Sequence, residues 1–204
     1  MEGEEILKEL EGISKTLVWY SPSQIEIGQH LSDPDGIYGD RPWPVSPETG
    51  EFLYNFILKN YIKNVVELGT GIGYSGVWMG LALKKQSGKL FTIEKRDYKF
   101  NIAKDYFKKA DINAKIFEEE IETALPKIVK ELQTADLLFF DANRSKFIQY
   151  LKALSPIITE KTFLIVDNTT DMKERLETFK EYLQKAGWKI EELETGDGLW
   201  ICTK

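Results

Sequence analysis

Apolar residues recur along this chain in two rhythms. Short runs at Val65–Leu68, Leu90–Ile93, Ala114–Phe117, Leu137–Phe140 and Phe163–Val166 alternate with helical patterns near 75–85, 97–110, 121–132, 144–154 and 171–186. Runs apolar on both sides predict strands buried on both faces, and a helix between successive runs predicts a parallel sheet covered on each side. The rhythm changes after Gly187. Trp188–Leu193 and Leu199–Thr203 are joined by Thr195-Gly196-Asp197-Gly198, too short for a helix, so the last strand is expected antiparallel to its neighbour.

Upstream of the first run, residues 1–13 place Ile6, Leu7, Leu10 and Ile13 on one side of a short helix. Ser46-Pro47 reads as a capped helix start, with Phe52, Leu53, Phe56 and Ile57 carrying the helix to Leu58. Residues 20–47 differ in character: Pro22, Pro34, Pro42, Pro44 and Pro47 fall there with Gly28, Gly36 and Gly39. An irregular stretch of that length predicts a lid or binding loop rather than a separate domain. The expectation is one doubly wound α/β domain over 1–204, with 1–46 as an N-terminal helix plus an irregular substrate-side segment.

Composition narrows the partners. The 204 residues are 42% hydrophobic, and 33 acidic against 27 basic residues give a formal charge of -6, which disfavours nucleic acid and anionic membrane surfaces as global partners. The one cysteine, Cys202, sits in an apolar run, which excludes an intramolecular disulfide and predicts a buried thiol. The charged N-terminal sequence is unlike a secretory signal, and no apolar stretch approaches the roughly 20 residues that span a bilayer. The expected location is cytoplasmic, the expected partner a small-molecule substrate, and the default assembly a homodimer.

The first strand runs into Gly69-Thr70-Gly71-Ile72-Gly73-Tyr74-Ser75 and then an apolar helix. Such a loop lies at the carboxyl edge of the sheet, where open α/β folds bind ligands. A dinucleotide fingerprint is G-x-G-x-x-G, whereas here Tyr74 stands where the third glycine belongs and Glu67 precedes the loop. A carboxylate there repels a pyrophosphate and suits a cationic amino-acid group. Glu94, ending the second strand, can accept both hydroxyls of a ribose. A nucleoside with an amino-acid tail satisfies both acids, and S-adenosyl-L-methionine is that molecule. Against this stands the reading of both as ordinary strand-end acids.

A second cluster follows. The fourth run delivers Asp141, with Ala142-Asn143-Arg144 behind it, and the fifth delivers Asp167-Asn168. On neighbouring parallel strands Asp141, Asp167 and Asn168 would form an oxygen-only ligand set for Mg²⁺, Ca²⁺ or Mn²⁺. Asp-Asn is also an ordinary turn pair, and spacing alone leaves both readings open.

With these segments in view, the chain resembles the metal-dependent O-methyltransferases that include catechol and caffeoyl-coenzyme A O-methyltransferases. The likeness covers roughly residues 44–204 and is carried by Val66–Ser75, Phe140-Asp141-Ala142, Val166-Asp167-Asn168, Gly196-Asp197-Gly198-Leu199 and Pro47–Leu53. It implies a seven-stranded Rossmann-like sheet with the last strand antiparallel. It also implies a cofactor site of Glu67, Gly69, Thr70, Gly71, Gly73, Tyr74, Ser75, Glu94 and Asp141, and a magnesium site of Asp141, Asp167 and Asn168. Two departures stand out. Where the family often has a lysine three residues after the first metal aspartate, this chain has Arg144, which cannot accept a proton. Arg144 is therefore expected to act beside Asp141 on an anionic substrate or oxyanion, with Lys146 a weaker stand-in for the base. Glu119-Glu120-Ile121 replaces the usual adenine-contacting stretch.

The expected function is transfer of a methyl group to a hydroxyl oxygen of a small catechol-like or phenolic acceptor held by the metal. Trp19, Tyr20, Tyr38, Trp43 and Tyr74 are candidates for an aromatic acceptor wall, and His30 for a base. Competing readings are a metal-free methyltransferase acting on nitrogen or a macromolecule, an NAD-dependent oxidoreductase, and a non-catalytic nucleoside-binding protein.

Overall fold

The structure, a computed structural model, describes residues 2–16, 44–170 and 173–204. Trp19, Tyr20, His30, Tyr38 and Trp43 lie outside the described residues.

Helix α1 spans Glu2–Thr16, longer than the pattern predicts. Helix α2, Pro47–Lys59, starts as expected: the Ser46 hydroxyl accepts from Thr49 N at 3.1 Å, proline occupies the first turn, and Lys59 lies at the negative end of the helix dipole. The strands and helices then alternate as β1 Asn64–Leu68, α3 Tyr74–Lys85, β2 Lys89–Ile93, α4 Asp97–Lys109, β3 Ala114–Phe117, α5 Ile121–Glu131, β4 Leu137–Phe140, α6 Phe147–Leu154, β5 Phe163–Asp167 and α7 Lys173–Lys185. The chain closes with β6 Lys189–Leu193 and β7 Leu199–Thr203. One boundary shifts. The helix expected from 144 begins as a 3-10 turn at Arg144–Lys146, capped by the Asn143 side chain, which accepts from Ser145 N, and α6 starts only at Phe147.

The strands form one seven-stranded sheet in the order β3-β2-β1-β4-β5-β7-β6. The first five are parallel, and β7 inserts between β5 and β6, antiparallel to both. The mostly parallel, doubly wound sheet with an antiparallel last strand is the arrangement the sequence predicts.

Strand alternation sorts the core into two layers. Val66, Leu68, Phe91, Ile93, Leu138, Phe140, Leu164 and Val166 face α5, α6 and α7. Val65, Leu90, Leu137, Phe139 and Ile165 face α1 to α4. Helix α3 is buried almost all round, which explains why it lacks a polar stripe: Tyr74, Ser75, Gly76, Val77, Met79, Gly80, Ala82 and Leu83 are all covered. Helix α1 belongs to the same layer through Ile6, Leu7 and Leu10. Burying each such side chain stabilises the fold by about 1.5–3 kcal/mol. Cys202 is buried, as expected, and burial pushes its thiol up to about 12. No helix among the described residues is long and apolar enough to cross a membrane.

Candidate functional site

The carboxyl ends of β2, β1, β4 and β5 lie side by side. Leu68 pairs with both Ile93 and Phe140, and Phe140 pairs with Val166. The next residues in each chain segment, Gly69, Glu94, Asp141 and Asp167, therefore line one edge of the sheet. Alternation also fixes the face. Glu67, Thr92 and Asp167 lie two residues beyond Val65, Leu90 and Ile165, and so share the face covered by α1 to α4. Asp141 continues that alternation past Phe139, its N–H donating to Leu68 O at 3.1 Å.

The glycine loop is shaped by what surrounds it. Gly69 has φ +99, and a Cβ on it would stand 2.1 Å from the carbonyl oxygen of Asp141, so only glycine lets the loop lie against the end of β4. Gly71, at φ +55, has nothing among the described residues within 4 Å of its would-be Cβ, so the backbone there is open on that side. Its N–H donates to Glu94 Oε2 at 3.0 Å, while Arg96 N donates to Glu94 Oε1 at 2.9 Å. Gly73 closes the loop as the N-cap of α3.

Beneath the loop Glu67 is fully buried. Ser75 Oγ donates to Glu67 Oε1 and Thr92 Oγ1 to Glu67 Oε2, each at 2.5 Å. Since the Thr92 proton is committed to Glu67, the Thr70 hydroxyl, 2.5 Å away, donates to Thr92. Thr70 and Ser75, expected at the cofactor, thus act by bracing Glu67. Burial raises the Glu67 carboxyl to about 8 despite these hydroxyls, and the negative charges of Asp141 and Glu94 add to the rise. Burial likewise raises Glu94, against backbone N–H donors and the charge of Lys99. Tyr74 turns elsewhere. Its ring is buried in the helical layer and its hydroxyl donates to Glu11 Oε1 at 2.7 Å, so the ring braces α1 rather than walling an acceptor.

The second cluster assembles at the adjoining strand ends. Asp167 is 2% exposed, and its Oδ1 is buried without a hydrogen-bond partner among the described residues. Burial raises both Asp141 and Asp167, and each is raised further by a neighbouring carboxylate: Asp197 for Asp141, Asp141 and Asp197 for Asp167. Arg144 opposes that rise at both. Its Nη2 donates to Asn168 Oδ1 at 2.7 Å and stands 3.9 Å from Asp141 Oδ1. Asn168 holds φ +55, and its Nδ2 donates to Asp197 Oδ2 at 3.4 Å. Lys146 instead pairs with Glu122 at 2.5 Å. The expected metal trio is therefore brought together. No group of three or more His, Cys, Asp or Glu side chains suited to a metal occurs among the described residues, and one member of the expected trio is an amide.

Three contributors escaped sequence reasoning. Thr92 reads as a strand filler and acts as the link between Thr70 and Glu67. Lys99, 7% exposed on α4, shares the buried face of Ala103, Tyr106 and Phe107 and acts on the charge of Glu94 and Asp141. Its helical spacing with Ala103 was the available signal. Asp197 reaches the cluster because its turn is tied to β5, with Thr170 N donating to Asp197 O at 3.0 Å and Thr169 N to Gly198 O at 3.1 Å.

The chain as a whole has relatives among known proteins. The sequence model of the O-methyltransferase family matches residues 40–177. A catechol O-methyltransferase from Niastella koreensis is 31% identical over 130 residues, covering 61% of this chain and 57% of that protein. Caffeoyl-CoA O-methyltransferase 2 from Eucalyptus globulus is 32% identical over 143 residues, covering 65% of this chain and 57% of that protein. These two matches thus span little more than half of either relative. The fold is shared with the O-methyltransferase TomG from Streptomyces achromogenes, solved with S-adenosylmethionine, at TM-score 0.72 and 20% identity over 100% of this chain and 98% of that one. This chain belongs to the O-methyltransferase family.

Proposed function

We propose that this protein transfers a methyl group from S-adenosylmethionine to a hydroxyl oxygen of a small catechol-like or phenolic acceptor, with a divalent cation, magnesium, held by Asp141, Asp167 and Asn168. The observation that carries this reading is the buried Asp167 Oδ1, without a partner among the described residues, at the same sheet edge as the glycine loop and Glu94. A buried carboxylate oxygen without a donor is costly, and a cation is the partner that satisfies it. The charges point the same way: Asp141, Asp167 and Asp197 outnumber Arg144 and Lys99, the cations acting on them, so the ionised cluster keeps a negative excess that a cation would offset.

The cofactor side fits on the same grounds. The open backbone at Gly71 admits a ligand, and Glu67 and Glu94 are acids whose ionised forms a cationic ligand would favour. Glu94 retains acceptor capacity for a ribose, since the N–H groups of Gly71 and Arg96 approach separate oxygens and each carboxylate oxygen can accept more than one bond. Methyl transfer from a sulfonium is an in-line displacement, so the protein must align donor and acceptor and supply an ionised oxygen. A bound divalent cation supplies Lewis acidity that lowers the pKa of a coordinated hydroxyl. This chain's own residues orient the partners: Gly69–Gly73 shape the cradle, Ser75 and Thr92 fix Glu67, and Asp141 borders both halves of the site. Arg144, always charged, holds negative charge at the oxygen cluster and does not take the proton.

The test is turnover of S-adenosylmethionine with vicinal-diol aromatics, reading the methylated product by mass spectrometry. Activity should vanish with a chelator and return with magnesium. Full activity in chelator, or methylation only of nitrogen acceptors, would overturn the metal-assisted reading.

A further inference from the structure

The guanidinium of Arg144 already sits in the pocket assigned to the divalent ion. Its Nη2 is 2.7 Å from Asn168 Oδ1 and 3.9 Å from Asp141 Oδ1, and the side chain is 18% exposed. Its charge acts on both Asp141 and Asp167. The Asn168 amide is fixed from both ends, since its Nδ2 faces Asp197 and its backbone holds a positive φ. The oxygen that Arg144 occupies is thus the one presented to the cluster. A magnesium ion binds oxygen at about 2 Å. An ion on Asn168 Oδ1 would lie within a few ångströms of the guanidinium now bonded to that atom, with two like charges meeting in a largely dehydrated site.

We propose that Arg144 is the resident cation of this pocket in the metal-free protein, and that a divalent ion enters by displacing its guanidinium from Asn168. This rests on the reading of Asp141, Asp167 and Asn168 as a cation pocket. Arg144 then sets the metal affinity. A guanidinium keeps its proton, so it clears the site by moving. The lever is short: Arg144 opens the 3-10 turn ahead of α6, whose first residue, Phe147, is anchored in the core. Meanwhile Asp167 Oδ1 remains without a partner among the described residues, because the guanidinium satisfies Asn168 and not that oxygen. The resident cation is therefore an incomplete substitute for a metal, which is the condition for displacement.

The experiment measures Mn²⁺ affinity of the full chain by electron paramagnetic resonance, comparing wild type with Arg144→Gln and Asp167→Asn. Arg144→Gln should bind Mn²⁺ more tightly by about tenfold or more, since both a competitor and a like charge are removed. In parallel, the arginine Nε–H resonance that disappears in Arg144→Lys is followed in wild type during a Mg²⁺ titration. It should shift in step with saturation. Equal affinity in wild type and Arg144→Gln, with binding abolished by Asp167→Asn, would leave the pocket standing and overturn displacement alone. No Mn²⁺ binding by either protein would overturn the pocket and displacement together. Should Arg144→Gln fail to fold, the wild-type resonance decides: a signal unmoved at saturating Mg²⁺ overturns the proposal.

Discussion

Ser75 and Glu67 are joined by a 2.5 Å hydrogen bond across the turn from β1 into α3, so the strand and the helix that frame the glycine loop are pinned to each other by a buried acid. Glu67→Gln keeps the shape and removes the charge. Hydrogen bonds to a charged group contribute about 1.5–3 kcal/mol, so affinity for S-adenosylhomocysteine should fall by roughly 10- to 100-fold by calorimetry. The fold should survive, because burial already favours the neutral form of Glu67 in the ligand-free protein, and it is the bound ligand's positive charge that draws out the carboxylate the variant lacks.

Substitutions in the loop should separate by what lies behind each glycine. Gly69→Ala drives a methyl into the Asp141 carbonyl and forces a positive φ, and should cost about 3 kcal/mol or more in urea denaturation while abolishing cofactor binding. Gly71→Ala meets nothing among the described residues and should cost only the backbone strain, about 1–2 kcal/mol. Equal losses would contradict the geometry.

The pH profile of the ligand-free protein follows from four acids raised in the fold: Glu67, Glu94, Asp141 and Asp167. A raised acid stays protonated in the folded state while the unfolded chain ionises. The folded state therefore loses relative stability as pH climbs from the ordinary carboxylate range, near 4 to 4.5, toward about 8 for Glu67. The Tm of the ligand-free protein should fall between pH 5 and pH 8, and the Tm increase caused by magnesium should grow over the same interval. A magnesium effect that shrinks with rising pH would contradict the cation assignment.

Asp167→Asn should abolish Mn²⁺ binding while leaving Tm at pH 8 unchanged or higher, since the variant no longer carries a buried acid raised by burial and by Asp141. Thermal melts at matched pH check this.

Helix α1 should prove integral to the layer above the cofactor loop. Leu10 has no exposed surface, and Leu10→Ala should cost about 2–4 kcal/mol by chemical denaturation. Tyr74→Phe, losing the 2.7 Å bond to Glu11, should cost about 1 kcal/mol.

The fold is legible in the sequence because the central strands β1, β2, β4 and β5 are largely apolar on both faces and helices separate the runs. The site is legible where chemistry sits at a strand end: Glu67, Glu94, Asp141 and Asp167 each stop or interrupt an apolar run. It is hidden where a residue's role depends on a neighbour far along the chain. Thr92 looks like any β-branched strand residue until Glu67 is beside it, and Asp197 looks like a turn acid until β7 inserts against β5. Arg144 reads as a departure from the lysine pattern, but only geometry shows its charge spent on Asn168.

The position of β7 bears on how the chain is made. It is synthesised after β6 yet lies between β5 and β6, so until Leu199–Thr203 emerges the flank of β5 is bare and β6 has no strand to join. During translation the growing protein therefore carries an open ladder of unpaired peptide groups, a surface to which another nascent chain can add. Ending the chain just before Leu199 would leave β6 stranded outside the sheet.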